Sequence, residues 1–366
     1  MILSMFGKKI LLLAGTGVIG NSLKNELISQ GAIVYTTTRK ERVSDDSSLY
    51  IKGDAHSDSF VRNIILQYEI DAVVDFVIYE TNKFSERVKW ILDKKRQYIF
   101  ISSYRVFAES KKPITESSPF LKDVISDEEY LSSDEYALKK TDQERILNKY
   151  TQYCWTIARP SITYGENRLQ LGSFESDLIL PRISNDLEIP LPREILDKKT
   201  TMTLGGDVAK MLSKLLFNKL AYNNDYNVLS SENHTWRFIS DIYRKELNLK
   251  VREVPLSNFM EIEGNRWQIK YDRMYNRICD NSKVLNDTKL TVKDMTSLSD
   301  GLSNILNEIV LSKYKDINNT LSRKNGHIDR VLSLKRIPLT LNVKKVVLYF
   351  IGRNKILDIL YNKISK

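Results

Sequence analysis

Cysteine is nearly missing: 366 residues carry two, Cys154 and Cys279. They lie far apart in the chain, so neither a disulfide framework nor a cysteine-built zinc site is expected, and a reducing compartment fits. Histidine is almost as scarce. His56, His234 and His327 form no metal-spaced cluster and read as structural or solvated, so no metal is expected. Long apolar runs are absent too, and with none reaching about eighteen residues no spanning helix is expected. The opening stretch, Met1 to Ile10, is too short before the first glycine cluster to serve as a signal peptide, and its apolar residues suit a first strand. The expectation is therefore a cytoplasmic protein. No repeat at solenoid spacing occurs. No aromatics interleave with the basic residues as a nucleic-acid platform would require, which disfavours nucleic acid as a partner.

Charge of one sign is missing from most of the chain. The net charge is +10, yet residues 311–366 alone hold thirteen Lys/Arg against three acids, Asp316, Asp329 and Asp358. The preceding 310 residues are neutral, so reading the chain as uniformly basic would mislead.

What is present begins at Lys9. An apolar run, Ile10 to Leu13, ends in Ala14-Gly15-Thr16-Gly17-Val18-Ile19-Gly20, and a helical pattern (Leu23, Leu27, Ile28) follows at once. Glycines in a strand–turn–helix setting permit the tight turn, let backbone approach a pyrophosphate, and allow close helix–strand packing. The helix N-terminus then offers N–H groups and positive dipole to the phosphates. Apolar strand patterns at Ile33–Thr37, Ala72–Ile78, Gln97–Ile101 and Cys154–Ala158 alternate with helical patterns near Ser57–Tyr68, Lys83–Lys95 and from Asp134 onward. Such alternation predicts an α/β fold with a doubly wound parallel sheet. After the second strand stands Thr38-Arg39-Lys40 rather than an acid, which favours NADP(H) over NAD(H), since an arginine there accommodates a 2′-phosphate.

Two tyrosines are followed four residues later by lysine, Tyr79/Lys83 and Tyr136/Lys140, and each pair shares one helix face if helical. Position separates them: Tyr136 lies one helix after the strand that ends in Ser102-Ser103, whereas Tyr79 ends the strand before it. The glycine turn, Ser103, Tyr136xxxLys140 and Arg159-Pro160…Tyr164-Gly165, in this order, resemble the extended short-chain dehydrogenase/reductase family, and most of all its nucleotide-sugar epimerase and reductase branch. Pro190-Leu-Pro192, Gly206-Asp207 and Tyr226-Asn227-Val228 continue the likeness, which covers roughly residues 8–310.

The resemblance implies a Rossmann-type domain over 1–173 with a return segment around 205–230. It further implies a smaller substrate-binding lobe, mainly 174–310, and a basic extension, 311–366. It makes Tyr136 the general acid/base, Lys140 its charge partner and ribose ligand, and Ser103 the hydroxyl that bonds the reacting oxygen. A free phenol titrates near 10, and a cation on the same face would favour phenolate. Cofactor contacts would come from Gly15, Thr16, Gly17, Val18, Ile19, Gly20, Arg39, Asp54, Phe76, Val77, Ser102, Tyr136, Lys140, Arg159 and Pro160. Ser103, Tyr104, Tyr164, Arg182 and Arg193 would meet the substrate, the arginines suiting a diphosphate. The activity implied is epimerisation or ketone reduction of a nucleotide-activated sugar for surface polysaccharide, by a chain that is often a homodimer. Departures are equally legible. Tyr104-Arg105 replaces the acidic pair that dehydratases carry, which disfavours dehydration; Leu13-Ala14 replaces the usual Thr-Gly; Glu135 replaces a common proline. A non-catalytic NADP-sensing or RNA-binding member of the fold remains the alternative, against which the Tyr136/Lys140 pair argues.

Beyond residue 311, Asn318–Gly326 reads as a polar linker, and 344–366 reads as a basic amphipathic helix suited to peripheral contact with the inner membrane face. A lipid-diphosphate-linked sugar is the alternative substrate that this tail suggests.

Overall fold

The computed structural model describes residues 5–316, 321–336 and 342–364. The chain divides into two compact units. The first runs to Asn167 and takes in Thr201–Asn233 and Arg277–Leu298; the second comprises Arg168–Thr200, His234–Asn276 and the chain from Ser299 on. The segment Arg277–Leu298, which the sequence reading places with the second lobe, thus lies in the first unit.

The first unit alternates strand and helix: β1 (Lys9–Leu13), α1 (Val18–Ser29), β2 (Ile33–Thr38), β3 (Ser48–Lys52), α2 (Asp58–Tyr68), β4 (Ala72–Asp75), α3 (Thr81–Ile91) and β5 (Gln97–Ile101). It continues with α4 (Tyr136–Leu147), β6 (Trp155–Arg159), β7 (Ile162–Tyr164), β8 (Met202–Leu204), α5 (Gly205–Leu215) and β9 (Asn224–Asn227). Seven strands pair in parallel in the order β9-β6-β5-β4-β1-β2-β3. This is the doubly wound α/β arrangement, with its strand order reversing between β1 and β4. The pleat explains the layers. Along β1, Ile10 and Leu12 enter a core with Leu23 and Leu27 of α1 and Val208 and Leu212 of α5. Leu11 and Leu13 point the other way, to Ile64 and Ile65 of α2 and Phe84 and Val88 of α3. Each of these leucines is fully buried, which contributes roughly 2 kcal/mol apiece.

The second unit is built differently. A parallel pair, Ile189–Pro192 with Val251–Val254, lies among helices that include Ser176–Ser184 and Trp236–Leu247. Three helices close the chain: Ser322–Val331, Val343–Arg353 and Lys355–Ile364, hereafter the first, second and third tail helices. Two expectations for the tail are corrected here. Residues 322–326 of the supposed linker are helical, while 318–320 lie outside the described residues. The expected single amphipathic helix is two, divided at Asn354. The first and second tail helices cross where glycine meets backbone. A Cβ on Gly326 would stand 2.2 Å from the Tyr349 carbonyl oxygen, and one on Gly352 would stand 2.1 Å from that of Arg323. Glycine at both positions is what lets the two helices approach so closely.

Candidate active site

The apolar run of β1 ends in a turn whose first residue, Ala14, adopts a left-handed φ of 53°. The family pattern has glycine there, and alanine tolerates it at a cost of about 1 kcal/mol. The Ala14 N–H donates to the Thr37 hydroxyl at 2.8 Å, which ties the turn to β2. Gly20 lies so close to Gly15 that a Cβ would come within 2.2 Å of its carbonyl oxygen, so α1 packs tightly on the turn. Gly17, the residue before α1, offers no side chain to cap the helix, and a Cβ there would meet nothing within 4 Å. The start of a twelve-residue helix thus has no side-chain cap and open space beside Gly17, the setting that suits a diphosphate.

Next to this turn lies a cavity of about 330 Å³. Ala14, Thr16 and Arg39 line it beside Asp54, His56 and Phe76, with Val77 close by. All come from the C-terminal ends of β1 to β4, where the strand order reverses and open α/β sheets place their ligands. Arg39 is exposed at its rim, and no carboxylate occupies the end of β2: the Thr38 hydroxyl donates to the Lys40 carbonyl within its own turn. Of the expected cofactor residues, Thr16, Arg39, Asp54, Phe76 and Val77 thus gather around one cavity, and His56, read as merely structural or solvated, joins them.

A buried network beneath the cavity holds its walls. Asp75, at the end of β4, accepts hydrogen bonds from the Val77 N–H at 2.9 Å and from the Tyr79 and Tyr98 hydroxyls at 2.8 Å each. Burial pushes its carboxyl above the usual range in spite of these donors. Arg87 of α3 donates to the Tyr79 hydroxyl and to the carbonyls of Ala55 and His56, which fixes the loop that lines the cavity. Tyr79 is therefore committed to Asp75 and Arg87, while Lys83 pairs with Glu86 in solvent, and this disposes of the competing Tyr/Lys pair. The sequence offered one signal for the network, a carboxylate ending an apolar strand.

Around Tyr136 the structure assembles the rest. Tyr136 is half-buried and opens α4, capped by Glu135, whose carboxylate accepts the Ala137 N–H at 2.6 Å. One turn on, Lys140 is buried and reaches across to the end of β5, donating to the Ile101 carbonyl at 2.8 Å. Its ammonium sits 4.2 Å from the centre of the Phe100 ring and 5.8 Å from that of Tyr136. Burial pulls the Lys140 ammonium from 10.5 down to about 8, with Asp75 and Glu144 opposing. Ser103 lies two residues past that carbonyl, buried, its oxygen accepting the Arg105 N–H at 3.2 Å. The two departures noted in sequence prove to be partners: Arg105 forms an ion pair with Glu135, with its guanidinium 5.7 Å from the Tyr136 ring centre.

Other expected contacts are committed elsewhere. The Ser102 hydroxyl donates to Glu144, which also takes the Arg159 guanidinium at 2.9 and 2.7 Å. Arg159 is buried, pairs with Asp225 at 2.7 Å and lies over Phe107. These side chains brace α4 against β5, β6 and β9 rather than line the cavity. Tyr104 and Tyr164 are fully buried within the first unit. Arg182, expected to grip a diphosphate, is fully buried in the second unit. It donates to the Glu188 carbonyl and to Asn325, and pairs with Asp329 of the first tail helix at 3.0 Å. Its cation is neutralised inside the protein, so it serves as a strut. Arg193 is exposed at the start of a one-turn helix, Arg193–Leu196. Among the described residues no cluster of His, Cys, Asp or Glu could hold a metal.

A doubly wound parallel sheet with a glycine turn at its switch point is a Rossmann-type α/β arrangement. Comparison narrows the class: residues 10–228 match the NAD dependent epimerase/dehydratase family, and the chain belongs to that family. Solved structures share the fold. The dTDP-glucose 4,6-dehydratase of Bacillus anthracis, in complex with NAD, aligns at 15% identity and TM-score 0.63 over 82% of this chain and 96% of its own. The UDP-glucose 4-epimerase of Bifidobacterium longum, with NAD⁺ and UDP, aligns at 16% and 0.60 over 82% and 97%. The Thermus thermophilus UDP-glucose 4-epimerase, with NAD, gives 16% and 0.61 over 82% and 100%. Comparison with curated protein sequences gives no match.

Proposed function

We propose that the chain is an NAD(P)-dependent epimerase or ketoreductase of a nucleotide-activated sugar, working in the supply of surface polysaccharide, with Tyr136 as acid/base. The observation that supports this most is Lys140, spanning from α4 to the carbonyl just before Ser102-Ser103 with Tyr136 one turn above it. Gly15 to Gly20 would hold the diphosphate of the dinucleotide, and Asp54, Phe76 and Val77 would border its adenosine half. When bound, the nicotinamide supplies a hydride or accepts one. Tyr136 takes a proton from the sugar hydroxyl during oxidation and returns it during reduction. Ser103 bonds that same oxygen, and Lys140 contributes positive charge on the same helix face. Arg39 at the cavity rim favours NADP(H) in this reading, because a guanidinium suits a phosphate and no acid stands there for a ribose hydroxyl. Arg105, committed to Glu135 where a dehydratase would carry an acid, argues against elimination of water.

The first test is to denature the purified protein and identify any nucleotide released, with its redox state. Retained NAD⁺ would mean a cofactor recycled within each turnover, and hence an epimerase, and would overturn the Arg39 argument. An empty site that binds NADPH more tightly than NADH, with the preference lost in Arg39→Ser, would point to a reductase. Tyr136→Phe should then abolish turnover of UDP- and dTDP-sugars or their keto forms while cofactor binding persists; unchanged turnover would remove Tyr136 from its role. A second reading, a lipid-diphosphate-linked sugar as substrate, is favoured by the exposed apolar residues of the tail.

A further inference from the structure

The last two helices pack by one side and expose the other. On the packed side, Tyr349 and Gly352 lie against the first tail helix, and Asp358 and Asn362 accept hydrogen bonds from Arg323. On the far side Val347 and Phe350 of the second tail helix are exposed. So are Ile356, Ile359, Leu360 and Ile364 of the third, with Ile356 at 70% and Ile364 at 85%. Spacings of three and four residues put each set on one stripe of its helix. Solvent-facing apolar residues in such number mark an interaction surface.

Charge identifies the occupant. All three acids beyond residue 311 are engaged: Asp316 with Lys345, Asp329 with Arg182 and Arg336, and Asp358 with Arg323 and His327. Lys344 and Lys363 stand exposed beside the apolar stripes. We propose that this face lies in the surface of an anionic lipid bilayer, its apolar side chains entering the headgroup boundary and its lysines meeting lipid phosphates. A second copy of the chain fits less well, since the same tail face offered by a two-fold partner brings no unengaged acid for these lysines. None of the described helices is long and apolar enough to cross a membrane, so the contact is interfacial. It rests on the tail alone and does not depend on the chemistry assigned to the first unit.

The test is flotation of the full chain with vesicles of phosphatidylcholine, with and without phosphatidylglycerol. The vesicle-bound ratio should rise about tenfold with the anionic lipid and fall again in high salt. Ile356→Glu combined with Ile364→Glu should reduce it about tenfold with thermal unfolding unchanged, since both sites are exposed. Lys344→Glu with Lys363→Glu should abolish the preference for phosphatidylglycerol. A wild-type chain that stays in the soluble fraction with both vesicle types overturns the proposal. So does an isoleucine variant that floats as well as wild type. Conversion of a dimer to a monomer by that variant, with vesicle binding unaltered, would assign the face to self-association instead.

Discussion

Replacing Lys140 with methionine isolates what a buried cation costs this fold. The ammonium titrates at about 8 inside the protein because burial disfavours its charged form, against 10.5 for an exposed lysine. Between those values the unfolded chain binds more protons than the folded one, so wild-type stability rises with pH across that window. Below about pH 8 the penalty is present in full, roughly 3 kcal/mol at 1.36 kcal/mol per pH unit. Lys140→Met removes the titrating group and keeps a side chain of similar length. Urea unfolding of both proteins, followed from about pH 7 to about pH 10, should show wild type gaining ~2.5 kcal/mol relative to the variant. Comparing the two cancels every other group that titrates in the range. Parallel stability curves would refute the argument, because they would mean that Lys140 keeps an ordinary affinity for protons in the fold. A gap that widens with pH in the variant's favour would refute it more directly.

Three further outcomes follow from the geometry. Arg182→Met should destabilise the second unit by about 1–3 kcal/mol, since buried Asp329 loses one of its two guanidinium partners and keeps Arg336, with nucleotide binding unchanged; weakened nucleotide binding at full stability would restore Arg182 as a ligand. Gly352→Ala should force the first two tail helices apart, at about 1–3 kcal/mol, and speed tryptic cleavage within 322–364; an unchanged digestion pattern would contradict the close crossing. Ala14→Gly should relieve the left-handed strain and lower the energy of the folded turn by about 1 kcal/mol, part of which is lost to the greater freedom of glycine in the unfolded chain; the thermal transition should hold or rise, and a fall of several degrees would contradict the strain.

Much of the first unit was legible because its code is local. The β1 run, the glycine turn and the strand–helix alternation each lie within about thirty residues, and the parallel sheet follows from them. Ser48–Lys52 escaped notice as a strand because SLYIK is short, mixes polarities and follows the charged stretch 39–46. Arg182 misled for a different reason: its partner is 147 residues away, and a buried arginine looks in sequence like an exposed one. Gly326 misled through its chemistry. Glycine in a polar stretch reads as a break, yet here it marks a helix crossing, and only Gly352 on the second tail helix reveals that. The pairing of Arg105 with Glu135 was hidden likewise, since each had been noticed separately as a departure.

The discontinuity of the first unit bears on how the protein comes into being. Arg159 needs Asp225 on the strand that completes the sheet, and Arg277 hydrogen-bonds the Phe107 carbonyl at 2.7 Å from a segment that reaches Leu298. A chain that has been made only as far as Asn167 therefore holds the glycine turn and Tyr136 but lacks the edge strand and the Asp225 carboxylate that pairs with Arg159 beside α4. The unit that starts first is complete only at Leu298, after about half of the second has been made, and until Asn224–Asn227 is added the outer edge of β6 has no strand beside it.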